Sequence, residues 1–267
     1  MTVNLNPAVS PSSLGTNSAQ NFERIGSGQR INSAADDAAG LIISTEFGAS
    51  ITGDQQAIRN ANDAISATET AGGALNTITE DLQRIRELSV QSANGTLNDA
   101  DRQGLQAEVD QLVENINETI SDSDFNGQSL LSGSAQLDVQ IGGDADQQLT
   151  IEGADLGTVL DDLGLNSIDI STAQGASDSL GVLDDSLQAV SDVAAELGAG
   201  QGRLESSINN LSQNVISESA SNSRIRDADL AKEISDLAAE LVRDQVQTST
   251  QAQANDNLKL VMRLFES

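Results

Sequence analysis

The sequence predicts a mainly α protein, an elongated antiparallel coiled-coil helical bundle with a small β-hairpin region. Three observations lead there. Apolar residues recur at near-heptad spacing through long stretches on both sides of the centre. The spacing changes to strict alternation near residues 137–152. Only four Phe and no Trp or Tyr are present, which argues against a broad globular core and for thin helical rods packed through Leu, Ile, Val and Ala.

Each element has its own justification. Pro7 and Pro11 keep the first dozen residues from forming a continuous helix, and Ser12 or Ser13 can cap the helix that follows. From Asp37 onward, Ala38, Leu41, Ile42 and Thr45 share one helical face. Ile51, Ile58, Ile65, Leu75, Ile78, Leu82, Ile85 and Leu88 extend it, with Leu88 at the edge of the stripe. A continuous Ile51–Val90 helix is about 60 Å long at 1.5 Å per residue. Asn94-Gly95 breaks it, and Asn98 or Asp99 caps the next helix, which carries Leu105, Val109, Leu112, Ile116 and Ile120 back antiparallel. Leu137, Val139 and Ile141, then Leu149 and Ile151 after GGDADQQ, alternate with polar residues and predict the hairpin. Residues 153–176 are rich in Gly and Asp and are expected to be mostly loop. Helical spacing resumes at Leu180 and continues through Leu183, Leu187, Val190, Leu197, Leu204, Ile208 and Leu211. Leu230, Ile234, Leu237 and Leu241 follow in the same manner. GQGR at 200–203 is expected to interrupt the helix.

Charge is concentrated in the centre. Of a net −28, residues 101–200 contribute −19. Like charges repel on close packing, so the termini suit packing and the centre suits solvent. There is no basic stripe to neutralise phosphates, which excludes a nucleic-acid role. The acid excess with two Lys also resembles proteins of salty habitats, where ~1 M salt shortens the screening length to about 3 Å. No apolar run approaches the roughly 18 residues that span a membrane, and the opening MTVNLNPAVSPSSLG has no apolar signal core.

Catalytic chemistry has little to work with. With no His and no Cys there is no Ser–His or Cys–His pair, no HExxH zinc site and no imidazole base. The acid pairs Asp36-Asp37, Asp161-Asp162 and Asp184-Asp185 are expected by chance in so acidic a chain. Asp122 to Gly127 fits the opening of a calcium loop, but Gly133 stands where a bidentate Glu belongs. A capped turn with Gly127 in a left-handed conformation is the better reading. No catalytic residue, metal ligand or cofactor site is assigned.

The remaining signal lies in ordered landmarks. Ser27–Gly40 (SGQRINSAADDAAG) and Ala252–Phe265 (AQANDNLKLVMRLF) carry apolar residues at helical spacing among Ala, Ser, Gln and Asn. Such segments bury too little surface to be stable alone and need partner helices. Between them stand Arg59–Ser66 (RNANDAIS), Leu82–Asn94 (LQRIRELSVQSAN), Phe125-Asn126-Gly127 and Ser223–Asp229 (SRIRDAD). In this order they resemble the bacterial flagellins, over roughly Arg24–Leu131 and Leu197–Phe265. The chain looks like a short form without outer insertion domains.

The resemblance implies a structural subunit, not an enzyme, that is exported through the flagellar channel and polymerises into the extracellular filament for swimming. Its partners would be further copies of itself, an export chaperone, and filament cap and junction proteins, with no nucleic acid or membrane. A hook–filament junction protein shares the terminal helices, and a soluble acidic coiled-coil binding module is the reading from another class. The intact SGQRINSAADDAAG and RNANDAIS favour flagellin. On this resemblance residues 1–36 form an N-terminal assembly segment pairing with 228–267. Residues 37–227 form a helical rod with the hairpin near 137–152, and 228–267 the C-terminal assembly helix. Ile31, Leu41, Leu237, Leu241, Leu258 and Phe265 would serve assembly. By residue type alone, Leu82, Ile85 and Leu88 are core positions, and Arg84, Arg86 and Glu87 a solvated face. In flagellins the equivalent stretch contacts neighbouring protofilaments, and in many it is also read by the vertebrate innate receptor for flagellin. Here that patch would comprise Arg84, Leu88 and Glu108, with Gln83, Arg86 and Glu87 beside them.

Overall fold

The computed structural model describes residues 14–133 and 136–265. Six α-helices and four short strands succeed one another as α1 (Leu14–Ser27), α2 (Ala38–Ser92), α3 (Asp99–Asp122), β1 (Asp124–Phe125), β2 (Gln128–Ser129), β3 (Gln136–Gln140), β4 (Gln148–Glu152), α4 (Leu156–Asp162), α5 (Ala173–Arg226) and α6 (Leu230–Phe265). The protein is mainly α. It divides into two compact units, one of residues 50–215 and one of residues 1–49 with 216–267. The expected capping of the first helix by Ser12 or Ser13 lies outside the described residues.

In the 50–215 unit, α3 returns antiparallel to α2 after a tight loop. Asn98 closes a capping box at its start, accepting from the Asp101 amide at 2.9 Å while Asp101 accepts from the Asn98 amide at 3.3 Å. Leu75, Ile78, Leu82, Ile85 and Leu88 of α2 are all 2% exposed or less, and they share one core with Val109, Ile116 and Ile120 of α3 and Leu183, Val190 and Leu204 of α5. Full burial of each such side chain stabilises by about 1.5–3 kcal/mol. Polar pairs fix the same register from outside the core, as where Asn115 donates to Asp81 at 2.6 Å.

The hairpin forms as expected, with Leu137 opposite Ile151 and Val139 opposite Leu149. Its seat was not foreseen. Along the N-terminal part of α2 in this unit, the buried stripe consists of Ala57, Ala61, Ala64, Ala67 and Ala71, none above 4% exposed, while Ile51, Ile58 and Ile65 are half-buried. Small side chains let the hairpin approach, and Asn60 of α2 donates to the Gln140 carbonyl at 3.1 Å. On the other side Gly200 faces Ile151, where an added Cβ would meet the Ile151 Cγ2 at 3.3 Å. The expected helix interruption at residues 200–203 is therefore corrected: α5 runs straight through, and Gly200 provides clearance for the hairpin.

Residues 153–176 also differ from expectation. They contain α4, capped by Asp155 accepting from the Thr158 amide at 3.1 Å, and the first turn of α5. Leu156, Leu160, Leu165 and Ile170 are buried, so the segment is a packed cover on the core. Its apolar residues are too few and too closely broken by Gly and Asp to display a helical period. The Asp122–Gly127 stretch is the expected capped turn, closed by the two-residue strands β1 and β2. Asn126 and Gly127 are both left-handed, with φ of 54° and 77°.

In the other unit, α1 lies against α6. Asn21 donates to Glu240 at 3.3 Å, and Arg24 sits 3.8 Å from Glu233 of α6 and 3.8 Å from Asp36 of the following loop.

Candidate interaction surfaces

Arg84, Glu87 and Glu108 come together on the surface of the 50–215 unit. The Arg84 guanidinium donates to one Glu108 oxygen from Nε at 3.0 Å and from NH2 at 2.8 Å, and to Glu87 from NH1 at 3.0 Å. These bonds stabilise the charged form and raise the Arg84 pKa further above its usual value, the Glu108 hydrogen bond contributing most. The cluster is open to solvent, so its worth is specificity more than stability. Arg86 points elsewhere and pairs with Asp184 of α5 at 2.9 Å; Gln83 is exposed.

Leu88 does not join this patch. Expected at the edge of the apolar stripe, it is 1% exposed and enclosed by the core. The three-and-four spacing that continues Leu82 and Ile85 carries its side chain under the helix, leaving Arg84, Glu87 and Glu108 as the surface. Of the other positions linked to assembly, Ile31 is buried, Leu41 and Leu237 are half-buried and Leu241 is 52% exposed. The side chains of Leu258 and Phe265 lie outside the described ones.

Two landmarks meet in the terminal unit. The amide of Arg30 donates to the Arg226 carbonyl at 2.6 Å and that of Ala228 to the Gly28 carbonyl at 3.0 Å, with Gln29 and Asp227 in an antiparallel bridge. SGQRINSAADDAAG is thus zipped to SRIRDAD across nearly two hundred residues of sequence. Inside the first landmark the two adjacent acids do different work. Asp36 accepts from the Ser33 amide at 2.9 Å, the Ser33 hydroxyl at 3.0 Å and the Asn32 amide at 3.2 Å, which lowers its pKa. Asp37 caps α2 by accepting from the Gly40 amide at 2.9 Å. Both are structural in this arrangement.

The exposed large apolar side chains are unevenly spread. Among the described residues ten of the twelve, including Phe22, Ile42, Ile216, Ile234, Leu241 and Val246, belong to residues 1–49 and 216–267. One cleft of the other unit, about 430 Å³, is lined by Ala67, Ala71, Leu137, Ile151, Leu197 and uncharged polar residues, and another, about 560 Å³, lies between β4 and α5 and carries Glu152, Glu196 and Arg203. Among the described residues no three carboxylates gather to hold a metal.

Comparison with known proteins decides the family. The bacterial flagellin N-terminal helical region matches residues 10–136, and the flagellin C-terminal helical region matches residues 180–265. The chain belongs to the bacterial flagellin family. Flagellin of Bacillus subtilis is 37% identical, over 95% of this chain and 94% of its own length. Flagellin of Halalkalibacterium halodurans is 38% identical over 91% of this chain and 90% of its own, and the flagellar filament 33 kDa core protein of Treponema phagedenis 38% over 92% and 91%. Among solved structures, the Bacillus cereus flagellin crystal structure aligns with a TM-score of 0.52 at 30% identity, covering 57% of this chain and 88% of that one. This flagellin is a structural subunit of the bacterial flagellar filament, and the junction-protein and free-standing coiled-coil readings are not favoured. Sequence reasoning missed the alanine seam under the hairpin, the buried Arg102 and the clearance at Gly200; a run of Ala at three-and-four spacing was the available signal for the first.

Proposed function

We propose that this flagellin is exported and assembles outside the cell through the apolar faces of residues 1–49 and 216–267, with residues 1–36 pairing with 228–267 and with the same elements of neighbouring copies. The carrying observation is the concentration there of exposed Leu, Ile, Val and Phe. Monomers rarely leave so much apolar surface open without a partner. An export chaperone would cover α6 beforehand, and cap and junction proteins would engage the same faces at the filament ends. The Arg84–Glu87–Glu108 cluster is a lateral contact between copies and, in a host, the element read by the vertebrate innate receptor for flagellin. The subunit performs no chemistry of its own.

Electron microscopy and sedimentation of purified chain test this. Leu241→Asp together with Val246→Asp should leave a helical monomer that no longer pellets. Assembly of the intact chain should strengthen from low to molar NaCl, because each copy brings 28 net negative charges that salt screens. Normal filaments from the double variant would move the contact elsewhere.

A further inference from the structure

Arg30, Arg224 and Arg226 lie on the two landmark segments that are zipped together, and none has a carboxylate partner among the described residues. Arg30 donates from NH2 to the Ile225 carbonyl at 2.7 Å, and Arg224 donates from NH2 to the Ser221 hydroxyl at 3.2 Å. Arg226 makes no side-chain hydrogen bond among the described residues, and its Nε is buried without an acceptor. Arg30 and Arg224 are exposed. The backbone pairing of residues 28–30 with 226–228 holds the two segments together.

In a chain with 41 acids and 13 bases, Arg24, Arg84, Arg86, Arg102, Lys232 and Lys259 each pair with a carboxylate among the described residues. Here the neighbouring acids are engaged otherwise. Asp227 accepts from the Ser223 hydroxyl, Asp229 accepts from the Ala231 and Lys232 amides at 3.1 Å, and Asp36 and Glu233 flank Arg24. The charge balance also differs between the units. Residues 50–215 hold 28 acids and 5 bases, whereas the remainder holds 13 and 8.

We propose that the exposed Arg30 and Arg224 form a cationic docking surface for an acidic face of a second copy of this chain. The inference rests on the filament reading. In a filament, the carboxylates present at highest local concentration are those of neighbouring copies, each with 23 net negative charges on residues 50–215. Oppositely charged surfaces attract and fix register, while like charges placed against one another cost several kcal/mol. The apolar faces supply adhesion, and the arginines set which part of the neighbour is met.

The test compares full-length wild type, Arg224→Glu, Arg224→Gln and Arg224→Lys by the critical concentration for pelletable filaments. Measurements at about 50 mM and about 1 M NaCl span a change in screening length from roughly 14 Å to roughly 3 Å. At low salt Arg224→Glu should raise the critical concentration about tenfold, Arg224→Gln less, and Arg224→Lys little. At high salt all four should fall within about twofold, because the contact is then screened. If Arg224→Glu disturbs the monomer's circular dichroism, Arg224→Gln carries the comparison. Equal assembly of wild type and variant at low salt overturns the proposal, as does a deficit that is undiminished at high salt. Wild type that forms no filaments at either salt defeats the filament reading itself, a separate outcome.

Discussion

Arg102, near the start of α3, donates from Nε to the carbonyl of Ser92, the last residue of α2, at 2.9 Å. The same guanidinium reaches the Leu97 carbonyl at 2.8 Å and the Asn94 carbonyl at 2.8 Å, so one buried fork holds the whole turn between the helices. The Ser92 carbonyl is left over at the end of α2 and those of Asn94 and Leu97 belong to the turn itself, and the arginine takes the place of water at all three.

Arg102→Ala should therefore lower stability by about 3 kcal/mol, since it strips several carbonyls of their donor in a closed site. Arg102→Lys should recover little, because a single ammonium cannot span three acceptors held at different angles. Urea unfolding followed by circular dichroism checks both. A Lys variant as stable as wild type would show that charge, not the planar fork, is what the turn needs.

Leu88→Asp should lower the stability of the monomer, not merely block assembly. The side chain is 1% exposed, and an unpartnered carboxylate there costs several kcal/mol. Arg84→Ala, by contrast, removes a surface cluster and should shift stability by less than about 1 kcal/mol. Thermal melts of the two monomers give the comparison; a soluble Leu88→Asp monomer melting like wild type would return Leu88 to the surface.

Gly175→Ala and Gly104→Ala should move stability in opposite directions. An added Cβ at Gly175 would lie 2.3 Å from the Asp169 carbonyl oxygen, whereas at Gly104 nothing stands within 4 Å. In the open helical site the alanine gains about 0.5–1 kcal/mol. At Gly175 the backbone must shift, undoing the contact that starts α5 and costing roughly 1–3 kcal/mol. Equal stabilisation of both would mean that the 169–175 turn yields freely.

Acid should selectively erase the contribution of Asp36. Hydrogen bonds from Ser33 and Asn32, aided by Arg24, lower its pKa below the ordinary aspartate value, so its contribution is fully present above about pH 4 and is lost as pH falls through the folded value. The stability difference between wild type and Asp36→Asn should be present at pH 6 and close as the pH drops below 4. Using the difference removes the general relief of charge repulsion that acid brings to both proteins. A gap that stayed constant down to pH 2.5 would assign the effect to shape, not charge.

Much of the fold was legible because it rests on local periodicity. The stripe from Leu75 to Leu88 in α2, the α3 stripe, a cap at Asn98 or Asp99, a hairpin near residues 137–152, and Gly127 in its left-handed turn all follow from spacing and residue type within a few positions. The acid-rich centre and the absence of His and Cys likewise restrict the available chemistry through composition alone.

What the sequence determined alone is the class of protein: apolar residues at helical spacing dictate rods, and ordered landmarks at both ends point to the family. Only the tertiary structure decided which of those apolar positions are covered. Leu88 is buried and Leu241 is exposed although both continue a helical stripe, because burial depends on which helix arrives opposite. The alanine seam and Gly200 matter because a hairpin lies over them, and Arg102 because three carbonyls converge there. Periodicity is a property of one segment, whereas burial and convergence depend on residues brought together from distant parts of the chain.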